Sequence, residues 1–394
     1  MLVLLAPGQG AQTPGFLAPW LDVPGVADRL HWWSAVTELD LISYGTTANA
    51  DTLRDTAIAQ PLLVAASLAA ALALFPHPAD AFNVVGAGAG HSVGELAAAA
   101  GAGVLNAEAA LVFARERGRA MAAAAAVAPT GMTAVLGGDP KAVVTKLDEY
   151  GLVAANHNGA GQIVAAGTLA QLEKLAADPP EGARLRPLSV AGAFHTSHMT
   201  PAVRTLARLA TSITVRDPRT RLISNADGTV VHHGREMLDR IIHQVSNPVR
   251  WDLCMTTMKD LGATAVIEMP PAGTLTGLIR RALPDVETLA LRTPEDLAAA
   301  RALVDKHGSA SPIDDSPTWR LLVAPSAGTF QIRNVSLGST LAPGAPVGSV
   351  VSRRENQAVS APYGGVVVEW LVADGDPVTP GQPLVRLHPE GVPE

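Results

Sequence analysis

Gly88-Ala-Gly-His-Ser92-Val-Gly-Glu95 sets a serine between two glycines at the entry to an alanine-rich run. Gly90, Ser92 and Gly94 fit the G-x-S-x-G turn in which a strand hands over sharply to a helix and the serine hydroxyl stands clear of both. The apolar run Phe82 to Val85 is read as the incoming strand, and a helix is expected from Glu95 onward. Amides at the start of that helix would point at the serine, where they could stabilise an oxyanion. Small residues are common in this chain, so the pentapeptide alone is equally readable as a plain turn.

Upstream, Leu2 to Ala6 reads as a buried strand entering the loop Pro7-Gly-Gln9-Gly-Ala-Gln12. Neither this loop nor Gly86 to Gly90 completes G-x-G-x-x-G, and no G-x-x-x-x-G-K-[ST] occurs, which argues against a nucleotide site. Ala57 to Leu74 is expected as one helix. Ala107 to Val127 is expected as another, carrying Arg115, Arg117 and Arg119. Three arginines at spacing two cannot share one helix face, so at least one points away from the others.

From Met132 the pattern changes. Strands at 133–136, 162–165 and 184–190 alternate with helices at 140–150 and 169–177. The order β-α-β-β-α-β suggests a small ferredoxin-like insert at about 131–191. His195 and His198 are spaced for one helical face, but no acidic or cysteine partner completes a metal set, so no metal is expected. Cys254 falls on an apolar helical pattern and is read as core.

At 394 residues the chain calls for two or more domains. It is 48% hydrophobic and 16% charged, which describes an alanine-packed globular protein. The net charge of −7 without a basic block argues against nucleic acid as a partner. A single cysteine rules out an internal disulfide framework and fits a cytoplasmic location. The apolar stretch Pro61 to Phe75 is too short to span a bilayer and is expected as a buried helix, so no membrane partner is inferred.

Residues 1 to about 300 resemble the malonyl-CoA:acyl carrier protein transacylases, the acyltransferases of fatty acid and polyketide synthesis. The motifs that carry the likeness are Pro7-Gly-Gln9-Gly-Ala-Gln12, Gln60-Pro61-Leu-Leu, Gly90-His-Ser92-Val-Gly-Glu95, Arg117-Gly-Arg-Ala-Met121, Ala155-Asn-His-Asn158, Phe194-His195, Asn247-Pro-Val-Arg250-Trp251 and Leu275-Thr-Gly-Leu278. The resemblance implies an α/β-hydrolase-like core with a ferredoxin-like insert. Ser92 would be the nucleophile and His195 its base, oriented by the backbone carbonyl of Arg250. Amides of Gln9 and Val93 would form the oxyanion hole, and Asn158 would contact substrate. Arg117 would pair with the malonyl carboxylate; an acetyl group would leave that cation unpaired, at a cost of about 1.5–3 kcal/mol or more. Phe194 resembles the malonyl-selective branch and would narrow the space beside the acyl α-carbon against methylmalonyl. One departure is Glu268-Met-Pro270-Pro271-Ala272-Gly273, where the family has Gly-Pro-Gly, with a reshaped loop near the site as the expected effect.

His307 to Pro317 is rich in Ser, Pro and Asp, and a linker is assigned to 307–319, separating residues 1–306 from 320–390. The last segment repeats. Ala324-Pro325, Gly328, Val335, Gly338, Pro343-Gly344 and Pro346 recur 37 residues later as Ala361-Pro362, Gly365, Val372, Gly375, Pro380-Gly381 and Pro383. Two strand-and-turn copies predict a small all-β domain with quasi-twofold symmetry. Residues 320–390 resemble a biotinyl/lipoyl carrier domain, but Arg354 falls where the modified lysine belongs and no lysine follows Lys306. No biotin or lipoate, and no other cofactor, is therefore expected.

The leading expectation is transfer of malonyl from malonyl-CoA to the phosphopantetheine thiol of an acyl carrier protein. An acyl hydrolase using the same dyad is the alternative within enzymes. From another class, the chain could be a scaffold docking a carboxylase or synthase through residues 320–390.

Overall fold

The computed structural model describes residues 1–190, 192–309, 320–353 and 355–388. Arg354 and most of the proposed linker lie outside the described residues. The chain divides into two compact units at Ile313/Asp314.

The first unit contributes, in chain order, strands β1 (Leu2–Ala6), β2 (Ala87–Gly90), β3 (Thr130–Gly137), β4 (Val153–Gly159), β5 (Gln162–Thr168), β6 (Ala183–Pro187), β7 (Arg221–Ile223), β8 (Val230–Val231), β9 (Ala265–Glu268) and β10 (Glu287–Ala290). Its main sheet runs β10-β9-β1-β2-β7-β8, parallel except at the β7/β8 edge. Alternate residues of β1 serve different cores: Leu2 and Ala6 face one hydrophobic cluster, Val3 and Leu5 the other. Burial on both faces explains why the strand is apolar throughout. Helices Thr56–Leu74, Gly94–Gly101 and Ala107–Ala125 belong to the first cluster, and Trp251–Asp260 and Thr274–Ala282 to the second. Thr56–Leu74 is apolar and long enough to cross a membrane, yet most of its residues are buried in this core. Cys254 is buried in the second cluster, as read from its pattern.

The strand before the serine differs from the expectation. Pro78–Phe82 is a short helix, and the strand is Ala87–Gly90 itself. Pro78 in the first turn supplies a φ suited to starting a helix. The Ala-Gly-Ala-Gly strand has little β propensity and is fixed by its ladder to β1, from Val3↔Ala87 to Ala6↔Gly90.

A second sheet, β4-β5-β3-β6, is antiparallel, with helices Pro140–Glu149 and Leu169–Ala177 in the β-α-β-β-α-β chain order. Its hydrophobic cluster includes Val135, Leu147, Leu152 and Leu175. The sequence reading placed no strand at Val153–Gly159, where small and polar residues mask the strand pattern. The main-chain bonds His157 N→Val249 O and Val249 N→Ala155 O, both 2.9 Å, tie β4 to the segment that leads into helix Trp251–Asp260.

Glu268 closes β9, and its carboxylate accepts from the amides of Gly273, Leu275 and Thr276 at 2.9, 3.0 and 2.8 Å. The Pro270-Pro271-Ala272 loop thus brings a buried carboxylate onto the N-terminus of helix Thr274–Ala282, where free amides and the helix dipole favour negative charge.

The second unit is all-β: β11 (Arg320–Val323), β12 (Gly328–Ile332), β13 (Thr340–Leu341), β14 (Ala345–Val351), β15 (Asn356–Ala361), β16 (Gly365–Trp370), β17 (Pro377–Val378) and β18 (Pro383–His388). Its two sheets run β11-β18-β16-β13 and β15-β14-β12-β17. Shifting the sequence by 37 residues turns β11 to β14 into β15 to β18 and so carries one sheet order onto the other. The repeat is thus a structural symmetry in which each half lends two strands to each sheet. Phe330, Val347, Leu384 and Leu387 fill the core between them.

Candidate active site

The site is assembled at the carboxyl ends of β1 and β2, where open α/β sheets place their ligands. Ser92 follows β2 with φ of +52°, in the left-handed region. A β-carbon at Gly90 would strike the Gly94 backbone, and one at Gly94 would strike the Ala6 carbonyl. Both glycines are therefore required for the turn to pass so close to β1. The His91 amide donates to Ala6 O at 3.0 Å, fixing the turn beside the Pro7–Gln9 loop.

His195 also sits at positive φ, +61°, and is buried. Its Nε2 lies 2.8 Å from Ser92 Oγ, and its Nδ1 lies 2.8 Å from the main-chain oxygen of Gln244. A carbonyl only accepts, so Nδ1 carries the proton and Nε2 turns its lone pair to the serine hydroxyl. Burial, and then the nearby charge of Arg117, push the imidazole down to about 3, which keeps it neutral at ordinary pH.

The orienting carbonyl is therefore that of Gln244, not of Arg250 as expected. Gln244 ends helix Gly234–Gln244, where terminal carbonyls lack intrahelical donors, and the next one, Val245 O, accepts the His195 amide at 3.1 Å. Arg250 precedes helix Trp251–Asp260, and its carbonyl is already engaged by the amide of Cys254. Its own amide donates to Asn225 O at 2.8 Å and its guanidinium pairs with Asp252.

Arg117 is fully buried on helix Ala107–Ala125, whereas Arg115 and Arg119 pair with Glu116 nearer the surface, as the spacing required. Its guanidinium donates to Gln60 Oε1 at 2.7 Å, Gln244 Oε1 at 2.8 Å and Ser92 Oγ at 3.3 Å, and its Nε has no partner among the described residues. Each of those acceptors is neutral. Burial pulls the guanidinium down to about 10, so it remains charged at neutral pH.

Glu95, buried in the first turn of the elbow helix, is close enough to couple to Arg117 but makes no ion pair with it. Its Oε1 accepts from the Asn225 amide and its Oε2 from Gln244 Nε2, both at 2.6 Å. Burial pushes the carboxyl up to about 8, while the Asn225 amide and the Arg117 charge pull the other way. Asn225 in turn accepts from the Ser92 amide at 2.8 Å and donates to Gly90 O at 2.8 Å.

With the Ser92 amide committed to Asn225, the expected oxyanion donors are the amides of Val93 and Gln9, neither of which bonds to another described residue. The Gln9 side chain donates to Arg54 O and Thr56 Oγ1, anchoring its loop. Asn158 Oδ1 accepts from His91 Nε2 at 2.9 Å, so its contact is with the serine's neighbour. Phe194 is buried and packs over Gly192. His198 is exposed while His195 is buried, so the two histidines do not face one another.

The sequence reading brought Ser92, His195 and Arg117 together and missed Gln244, Asn225 and the part played by Glu95 and Gln60. Gln244 carried one available signal: it falls three residues after buried Ile241, on the buried face of its helix.

The chain is similar to known proteins in sequence and in fold. The acyl transferase domain family matches residues 21–301. The malonyl CoA-acyl carrier protein transacylase of Mycobacterium tuberculosis is 51% identical over 302 residues, spanning 75% of this chain and 98% of the relative. This chain belongs to the malonyl CoA-acyl carrier protein transacylase family. The crystal structure of MCAT from the same organism superposes with a TM-score of 0.74 at 50% identity, over 76% of this chain and 99% of that one. A malonyl-transacylase solved in complex with its type II PKS acyl-carrier protein gives a TM-score of 0.70 at 27% identity, over 76% of this chain and 98% of that one. In this chain Ser92, Glu95 and Arg117 are joined in one hydrogen-bonded site through Asn225 and Gln244.

Proposed function

We infer that the protein transfers malonyl from malonyl-CoA to the phosphopantetheine thiol of an acyl carrier protein, through a malonyl ester on Ser92. The observation that carries this reading is Arg117, a buried guanidinium held by neutral acceptors 3.3 Å from the serine oxygen. A buried cation with no counter-charge in contact is costly unless a ligand supplies one. An acyl group ending in a carboxylate does so, with paired hydrogen bonds.

In the first half-reaction Ser92 Oγ bonds to the thioester carbon as its proton passes to His195 Nε2. The amides of Val93 and Gln9 receive the oxyanion. The carbon–sulfur bond breaks, coenzyme A leaves as a thiol with the proton from His195, and malonyl remains on Ser92. In the second half-reaction His195 takes the proton of the carrier thiol, whose sulfur attacks the ester, and the proton returns to Ser92 Oγ as the ester bond breaks. Gln244 O holds the imidazolium formed in both halves. Phe194 limits the space beside the acyl chain, and Asn158 steadies His91 at the rim.

We read β4-β5-β3-β6 as a ferredoxin-like subdomain on an α/β-hydrolase-like core, supported by its strand order. The second unit is read as a biotinyl/lipoyl-like fold, supported by the exchange of its sheets under the 37-residue repeat. The chain has no lysine after Lys306, so that unit would serve as a docking or stabilising module, with a carboxylase or synthase component as its partner.

The test is intact-protein mass after brief incubation with malonyl-CoA. An adduct on wild type, absent from Ser92→Ala and discharged by a holo acyl carrier protein, is expected. An adduct lost to water at the same rate with and without carrier would indicate a hydrolase.

A further inference from the structure

We propose that Glu95 is the positioning residue for acyl recognition, holding Asn225 and Gln244 so that the elbow, the catalytic histidine and Arg117 keep one register. The proposal rests on the transferase reading above and deepens it.

Burying a carboxyl group is expensive unless its oxygens are hydrogen-bonded, and nothing in the packing of an alanine-rich helix calls for it. What the carboxylate does is accept from two amides that each touch the reacting groups. The Asn225 amide bonds Oε1, and the same residue's side chain spans the elbow from Ser92 N to Gly90 O. Gln244 Nε2 bonds Oε2, and Gln244 offers its side-chain oxygen to Arg117 and its main-chain oxygen to His195. One carboxylate thus reaches the nucleophile, the base and the cation by one intermediate residue each.

The direction of the hydrogen bonds carries the argument further. A guanidinium only donates, so Gln244 must turn Oε1 to Arg117 and therefore Nε2 away from it. The group receiving that Nε2 has to accept, and Glu95 Oε2 does so at 2.6 Å while Oε1 accepts from the Asn225 amide. Gln244 also keeps the two charges apart. A direct Glu95–Arg117 bridge would occupy the guanidinium edge that a substrate carboxylate needs. With the neutral amide between them, Arg117 is held in place and its charge stays available.

Glu95→Gln breaks this pattern at minimal change in shape. Its new NH2 must face either the Asn225 amide or Gln244 Nε2, both donors. The experiment measures the rate of Ser92 acylation by malonyl-CoA and by acetyl-CoA over a concentration range, read as intact mass, on the full-length wild type and variant. The expected result is a fall of at least 10-fold in the malonyl-to-acetyl rate ratio, with the half-saturating malonyl-CoA concentration raised. A loss shared equally by both acyl groups, or no loss, overturns the proposal and leaves Glu95 a structural residue. If Glu95→Gln does not fold, Glu95→Ala makes the same prediction, because it removes the acceptor of Asn225 N and Gln244 Nε2 without touching Arg117. Failure of wild type to form any malonyl adduct would instead overturn the transferase reading.

Discussion

The two units bury different things. In the first, Glu95, Arg117, Asn225, Gln244 and His195 all lie out of solvent within one hydrogen-bonded set. In the second, the core is Val, Leu, Ala and Phe, and Ser349 is the one buried polar residue among those described. Buried polar groups cost stability that apolar packing does not, so they persist where they do chemistry. Exposed apolar side chains occur in both units, Val127 (80%) and Trp32 (55%) in the first and Tyr363 (70%) and Leu337 (62%) in the second. What separates the units is the buried polar chemistry, which is concentrated in the first.

The sharpest test of that division is His195→Ala. Removing the base should lower malonyl loading of Ser92 by about 10^4-fold, the upper end of what a positioned general base contributes. Rapid-quench mass measurement would show it, and a loss under tenfold would place the base elsewhere. Next in size, Phe330→Ala should destabilise the second unit by about 3–5 kcal/mol through the cavity it leaves. Calorimetry on the full chain should show one transition lowered, with malonyl loading within about twofold of wild type. Loading that falls in step with the transition would break the comparison, making the units one cooperative system.

The smallest expected effect is on pH dependence. His195 is held down to about 3, so acylation should change by less than about threefold between pH 7 and 5, where a histidine at 6.5 would lose about 25-fold. The same shift acts on stability with a definite sign. Between pH 6.5 and about 3 the unfolded chain binds a proton at His195 that the folded chain does not, so this contribution is intact above 6.5 and drains as pH falls. Measured pH–rate profiles with an acid limb near 6.5 would contradict the burial argument.

What the sequence disclosed follows from how local each cause is. The elbow was legible because Gly90 and Gly94 answer a steric demand within five residues. The 37-residue repeat was legible because symmetry is written twice. Ser92, His195 and Arg117 came together through resemblance, as no spacing joins residues so far apart. Asn225 and Gln244 stayed hidden because their partners lie 133 and 152 residues away at Ser92. The orienting carbonyl was misassigned because any residue can supply one, and only the end of helix Gly234–Gln244 decides which is free. β2 and β4 were missed or displaced because Ala, Gly and Asn form those strands by pairing and not by propensity.

The central claim is that one buried guanidinium selects the acyl group delivered to Ser92. It is tested most directly by Arg117→Ala, with Ser92 acylation by malonyl-CoA and acetyl-CoA followed side by side as intact mass. The account predicts that the malonyl-to-acetyl ratio falls by about 100-fold or more, the effect of losing a buried charge-assisted pair of about 3 kcal/mol. Equal losses for the two acyl groups, or an unchanged ratio, would contradict it.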